Sequence, residues 1–198
     1  MSVLGGKRTL QWRIVDCWAS STHTRTMSKH AITTGRLLLR RWRAEDIDPF
    51  AAICSDPEVM RYIGCGSTRT RDQSAAAIRA YETDWEEKGY GLFAVELLDS
   101  HHLIGFTGLA EPTFLPEIMP AVEVGWRFAR QRWGNGYATE AARAALDFGL
   151  VTLRIPEIVS IYQAENRASD RIVEKLGMRF DRETLDPTCG RLVRIYRT

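Results

Sequence analysis

Residues 129–149 read ARQRWGNGYATEAARAALDFG. Gly134 and Gly136 stand one residue apart and lead directly into an alanine-rich segment. The spacing predicts a turn entering a helix from Tyr137 to about Phe148. A helix start exposes backbone N–H groups with no partner inside the helix, and the helix dipole adds partial positive charge. A phosphate there is held by charge-assisted bonds of ~1.5–3 kcal/mol each, against ~0.3–1 kcal/mol from the dipole. The bonds dominate, and they need close approach of main chain to ligand. Glycine allows it, having no Cβ and tolerating positive φ. Arg130 and Arg132 add charge nearby. Ala138, Ala141, Ala142, Ala145 and Gly149 share one stripe, which lets the helix lie close on a sheet. For two glycines taken alone, a turn without a ligand is the plain alternative.

Upstream, AVEVGWRFA (121–129) alternates as a strand. Val122, Val124, Trp126 and Phe128 share one face, and Glu123, Gly125 and Arg127 the other. Downstream, IVSIYQAE (158–165) reads as a strand, followed by a helix over about 167–176 that ends at Gly177. Further elements are a strand in GRLLLRRW (35–42), a helix from about Ala44, a short helical piece over 56–64 and a helix over 72–89. Strands are expected in GLFAVELLDS and HHLIGFTGLAEP, joined by a turn near Asp99 and Ser100, and again in MRFDRET and GRLVRIYR. Three prolines make 111–120 a loop. The order predicts a mixed α+β domain around one mostly antiparallel sheet, with a strand-helix-strand unit at its centre.

The P-loop pattern is absent, and a dinucleotide fingerprint fails because its third glycine position is Thr139. The acidic residue such a fold needs has only Glu157 as a candidate, and it precedes the next strand. A pyrophosphate held mainly by backbone, without lysine or magnesium, points to coenzyme A.

The chain has 198 residues and a formal net charge of +2, with 23 Arg against 4 Lys. One domain is expected, and so small an excess of charge argues against nucleic acid as the main partner. No apolar run approaches the ~20 residues that span a bilayer. Cys17, Cys54, Cys65 and Cys189 form no C-x-x-C pair and the histidines are not spaced beside them. No metal is expected, and a reducing cytoplasm fits. Residues 1–31 lack periodicity and a signal-peptide apolar core. They read as a disordered extension or an upstream start with Met27 opening the domain; an Arg-rich, acid-poor transit segment is the alternative.

Gln131-Arg132-Trp133-Gly134-Asn135-Gly136 resembles the Q/R-x-x-G-x-G/A pyrophosphate motif of the GCN5-related N-acetyltransferases. EVGWRFARQRWGNGYATEAARAALDFG, ITTGRLLLRRWRAEDID and ENRASDRIVEKLGMRF are similar to the ribosomal-protein alanine/serine (RimJ/RimL-like) branch, over about 32–198. The resemblance implies about seven strands and four helices, with acetyl-CoA wedged between splayed strands 121–129 and 158–165. It places the coenzyme arm along Val124, Gly125 and Trp126, and the pyrophosphate at Gln131 to Gly136 with Tyr137. Asn166 is expected both to cap its helix and to contact the arm. Gly125 suggests a bulge or a close backbone approach.

Amide formation from a thioester needs a neutral amine, a stabilised oxyanion and a proton for the thiolate. Glu123, one pleat from Gly125, is the candidate base; the alternative is a solvated carboxylate paired with Arg127. Its replacement by Gln is expected to lower turnover most at low pH. Val173 stands where many relatives have an acid tyrosine, leaving Ser169 as the candidate acid, with Tyr162 as a second choice. Ser169 could instead only orient groups or bond backbone. Glu140 is read as structural, paired with Arg143, and Lys175 as reaching the coenzyme or solvated. Met60, Tyr62, Trp85, Tyr90 and Phe114 are candidate linings of the acceptor site. The acceptor is a primary amine, on a protein N-terminus or a small molecule; the alternative function is a non-catalytic coenzyme A sensor. A monomer or homodimer is expected.

Overall fold

A computed structural model describes residues 31–198; the expectations for residues 1–30 lie outside the described residues. The described strands are β1 (Ile32–Thr33), β2 (Leu37–Arg40), β3 (Leu92–Leu97), β4 (Leu103–Ala110), β5 (Glu123–Phe128), β6 (Val159–Gln163), β7 (Arg179–Leu185) and β8 (Leu192–Arg197). They form one sheet in the order β1-β2-β3-β4-β5-β6-β8-β7. Every neighbour pair is antiparallel except β5 with β6. The helices are α1 (Ile47–Ser55), α2 (Pro57–Met60), α3 (Arg71–Lys88), α4 (Tyr137–Asp147) and α5 (Arg167–Leu176). The described residues hold eight strands and five helices, against about seven and four implied by the resemblance; α2 falls within the short helical piece read over 56–64, and the two-residue β1 is the added strand.

Side-chain alternation on β3 divides the core. Phe93 and Val95 join Val124, Phe128 and the alanines of α4, while Leu92 and Ala94 join Trp42, Phe50, Cys54, Met60 and Ile78. α1 to α3 therefore cover one face, and α4 and α5 the other. Ala141, Ala142 and Ala145 are fully buried. A Cβ at Gly149 would lie 2.5 Å from Ile158 Cδ1, so the small-residue stripe sets how closely α4 lies on the sheet. α4 continues as a π turn, Phe148–Thr152. The proline loop carries a 3-10 turn at Pro116–Ile118 and buries Leu115 and Ile118 against β6 and β8.

Helix starts follow their caps. Thr70 accepts from the Gln73 amide while Gln73 returns a bond to the Thr70 amide, a reciprocal cap for α3. Asn166 Oδ1 accepts from the Ser169 amide at the start of α5. α4 begins after Gly136, and among the described residues no side chain caps it.

A charged cluster joins β2, β3 and the turn before α1. Arg40 donates to Asp46 at 2.7 and 2.8 Å and to Glu96 at 2.7 Å, all three buried. Burial works against the Arg40 charge, yet Asp46 and Glu96 hold its pKa above the ordinary value. Burial would likewise raise Glu96, but bonds from Arg40 and His101 bring it below the ordinary range.

Candidate active site

The site begins where two strands part. β5 and β6 pair at one register point, Glu123 opposite Val159, with the Val159 amide donating to Val122 O at 2.8 Å. β6 then pairs with β8 instead. On its other edge β5 keeps an unbroken ladder with β4, Gly108 opposite Gly125. No bulge occurs at Gly125, which corrects one of the two readings of that glycine. Antiparallel pairing alternates backbone groups between the two edges of a strand. The Ala129 amide bonds Ile104 O and the Thr107 hydroxyl bonds Gly125 O at 3.0 Å. Gly125 therefore directs its backbone to β4, while Val124 and Trp126 direct theirs into the open fork. A Cβ on Gly125 would meet nothing within 4 Å, so its contribution is free space.

Next comes the turn. A 3-10 turn at Arg130–Arg132 leads to Trp133, whose Nε1 donates to Phe128 O at 2.9 Å. Asn135 Nδ2 donates to the carbonyls of Arg132 and Trp133. Gly134 and Gly136 adopt φ of +77° and +79°, a region costing an L residue ~1–2 kcal/mol. Gly136 is the cap residue of α4 and offers no side chain to its first amides. Those amides border a cavity of about 500 Å³ whose lining includes Arg132, Gly134, Gly136, Ser169, Arg171 and Lys175. Arg132, Arg171 and Lys175 have no carboxylate within 4.0 Å among the described residues. Uncapped amides beside unneutralised cations form a cradle for a polyanion. No cluster of His, Cys, Asp or Glu that could hold a metal occurs among the described residues.

Glu140 anchors this turn, and its partner corrects the expectation. Glu140 Oε1 accepts from Thr34 Oγ1 at 2.6 Å and from the Arg36 amide at 3.0 Å, and Oε2 accepts from Arg36 Nε at 2.7 Å. Arg36 Nη1 also donates to Asn135 O at 3.0 Å. Arg143 points elsewhere and donates to the Lys175 carbonyl. The carboxylate thus ties the glycine turn to the β1–β2 turn.

A second cavity, of about 590 Å³, lies on the α1–α3 side and includes Met60, Tyr62, Phe114, Glu123, Gly125 and Ser160 in its lining. Both cavities are lined by Tyr62, Ile63, Trp126, Arg127, Asn166 and Ser169, so they meet at the fork. Trp85 and Tyr90 do not line the second cavity. Trp85 is buried against Phe93 and Phe148, and the Tyr90 hydroxyl reaches Glu111.

Glu123 is half-buried and has no ion pair among the described residues; Arg127 does not reach it. Burial pushes its carboxyl up to about 8, with the Ile161 backbone amide opposing the rise. A carboxylate at that value is matched to taking a proton near neutral pH. Ser169 is buried in the first turn of α5, on the wall shared by the two cavities. Tyr162 stacks on Tyr196 and donates to Asp170 Oδ1 at 2.9 Å. Burial first, then Tyr196 and Asp170, raises its pKa strongly; its proton is committed to Asp170. Val173 is fully buried core.

The alternation in residues 121–129 put Arg127 on the Glu123 face but did not reveal its state. It is 7% exposed, Nη1 donates to Cys54 Sγ at 3.2 Å, and the guanidinium lies 5.1 Å from the Phe106 ring centroid. Nε is buried without a partner. Burying an ion without a counter-charge costs on the order of several kcal/mol. The segment after α2 lines the second cavity. Gln163 Nε2 donates to Gly64 O at 2.6 Å, and Arg191 donates to Arg61 O, Cys65 O and Gln163 Oε1, each at 2.9 Å.

Residues 36–179 match the family model described as an acetyltransferase (GNAT) domain. The chain belongs to the GNAT acetyltransferase family. It is 34% identical over 152 residues to the uncharacterized N-acetyltransferase YnaD of Bacillus subtilis, covering 75% of this chain and 82% of that protein. It is 32% identical over 158 residues to the uncharacterized protein YkkB of the same organism, covering 78% and 88%. Among solved structures, an acetyltransferase from Agrobacterium tumefaciens superposes with a TM-score of 0.72 at 26% identity, covering 90% of this chain and 99% of that one. RimL, a ribosomal L7/L12 alpha-N-protein acetyltransferase solved with coenzyme A, superposes with a TM-score of 0.69 at 10% identity, covering 85% and 97%. At that identity the likeness to RimL is one of fold. This GNAT acetyltransferase is an acyltransferase, and the cradle at α4 has the chemistry that acetyl-CoA requires.

Proposed function

We propose that this acetyltransferase moves an acetyl group from acetyl-CoA to a primary amine by direct attack on the thioester, and that it works in the cytoplasm. The carrying observation is the position of Glu123. Its carboxyl, pushed up to about 8, sits where β5 and β6 part, on the wall of the amine cavity. The amides of α4, with Arg132, Arg171 and Lys175, hold the diphosphate. The backbone of Val124 and Trp126 in the open fork aligns the coenzyme arm, and an N–H there polarises the thioester carbonyl. Glu123 takes the proton from the incoming ammonium. An α-amine at ~7.7–8.0 needs little help, and a lysine amine at ~10.4 needs more. Ser169 positions the departing sulfur or passes it a proton. The acceptor is an N-terminal amine of a protein, as for the ribosomal L7/L12 alpha-N-protein acetyltransferase RimL, or a small-molecule amine.

The test is calorimetric titration with acetyl-CoA, then a thiol-release assay across N-terminal Ala and Ser peptides, lysine peptides and small amines. Donor binding with amine-dependent thiol release is the expected result. Donor binding without release for any amine would make the domain a coenzyme sensor.

A further inference from the structure

Five charged groups line the amine cavity: Arg69, Glu111, Glu123, Arg127 and Asp186. The carboxylates other than Glu123 are occupied. Glu111 accepts from Lys88 Nζ at 3.1 Å. Asp186 accepts from the Thr188 amide and hydroxyl and from Cys189 Sγ. The two arginines are not neutralised: neither has a carboxylate within 4.0 Å among the described residues. Arg127 is more than nine-tenths buried, and its Nε has no partner. Cys54 links the two positions, since its Sγ accepts from Arg127 and its carbonyl accepts from the Arg69 amide at 3.0 Å. A buried guanidinium kept without a counter-ion inside a substrate cavity is a site waiting for an anion, and its planar donors suit a carboxylate or phosphate.

We infer that the acceptor is a small amine bearing its own carboxylate or phosphate, with Arg127 and Arg69 receiving the anion while Glu123 faces the amine. The inference rests on acetyl transfer at this site and narrows its acceptor. One molecule then satisfies both ends of the cavity: its ammonium lies near the carboxylate that deprotonates it, and its anion near the arginines. A neutral or purely cationic amine leaves Arg127 buried and unpaired in the complex.

The experiment compares matched acceptors on the full chain: glycine with glycinamide, and phosphoethanolamine with ethanolamine, beside amidated Ala and Ser peptides. Rates are corrected for the fraction of unprotonated amine. The wild-type protein is expected to favour the anionic member of at least one pair by about tenfold or more in kcat/KM, mainly through KM. Which pair responds separates carboxylate from phosphate. Arg127→Gln and Arg69→Gln are each expected to shrink that ratio toward one. A wild-type ratio at or below one, or equal preference for the peptides, overturns the inference. So does an Arg127→Gln protein that slows every amine alike with the ratio unchanged, because the arginine then serves the thioester. Should Arg127→Gln fail to fold, the wild-type ratio and Arg69→Gln decide. Absence of acetyl-CoA binding, measured separately, counts against acetyl transfer itself.

Discussion

Glu123 stands opposite Val159 at the one register point where β5 and β6 pair among the described residues, and the Ile161 amide beyond it turns toward the Glu123 carboxylate. A carboxyl in such a place gains one amide and loses water. With its value near 8, it is largely protonated at pH 7 and becomes a competent base as the pH rises. Turnover should climb with pH and level off above about 8. Glu123→Gln should lower kcat by roughly 10²–10⁴ and abolish the limb set by the carboxylate, leaving the limb set by the amine. The deficit is largest above pH 8, the reverse of what the sequence suggests, because burial has moved the titration. Steady-state pH profiles of both proteins check this, and a superimposable pair removes Glu123 from the chemistry.

The same carboxyl links pH to stability. Its folded pKa lies above the unfolded value, so the folded state binds the extra proton between about 4.5 and 8. Stability is therefore fullest below that window and falls as pH rises through it, by up to ~1.4 kcal/mol per unit. Urea unfolding of the apo protein at pH 5.5 and 8.5 should show the loss in wild type, and Glu123→Gln should remove that component.

A Cβ at Gly134 would meet nothing within 4 Å and one at Gly136 would lie 3.6 Å from Arg36 Nη2, an ordinary contact, so added side chains there meet backbone strain rather than a steric clash. Gly136→Val should cost ~1–2 kcal/mol of stability through its φ alone. Gly134→Leu should weaken acetyl-CoA by about tenfold or more, since each lost backbone bond to a phosphate is worth ~1.5–3 kcal/mol. Calorimetry reads the affinity, and unchanged binding in Gly134→Leu would move the diphosphate elsewhere.

Glu140→Gln removes the charge that joins Thr34 and Arg36 to the glycine turn. The expected loss is ~1–3 kcal/mol in unfolding free energy, with a rise in the acetyl-CoA KM as Asn135 loses its fixed neighbour. Asp46→Asn acts on the buried cluster joining β2, β3 and the turn before α1. It leaves the buried Arg40 partly uncompensated and should destabilise the fold by ~3–5 kcal/mol, without changing kcat per folded molecule. A thermal shift beside an activity assay separates these two variants.

Much of the frame was readable because it is local. The alternation of residues 121–129 and the alanine stripe of α4 are patterns of period 2 and 3.6, and the structure keeps both. β1, two residues long, is too short to carry a period. The partner of Glu140 was missed because Arg143, one turn along the same helix, is the neighbour a sequence offers, whereas Arg36 is brought in by the sheet. The state of Arg127 was hidden for a related reason. Its face of β5 follows from alternation, but its burial depends on Cys54 and Phe106, which approach from another helix and another strand. The protonation of Glu123 likewise depends on where β6 departs, which no stretch of β5 encodes.

The segment after α2 is held by Gln163 and Arg191 through main-chain oxygens of Arg61, Gly64 and Cys65. Such fastenings are indifferent to the side chains they carry. Tyr62 and Ile63 line both cavities and Gly64 adopts a φ of +52°, so Arg61 and Cys65, both exposed, are the positions of 61–65 whose side chains are freest to change. A wall secured through its main chain can exchange exposed side chains while its path stays fixed.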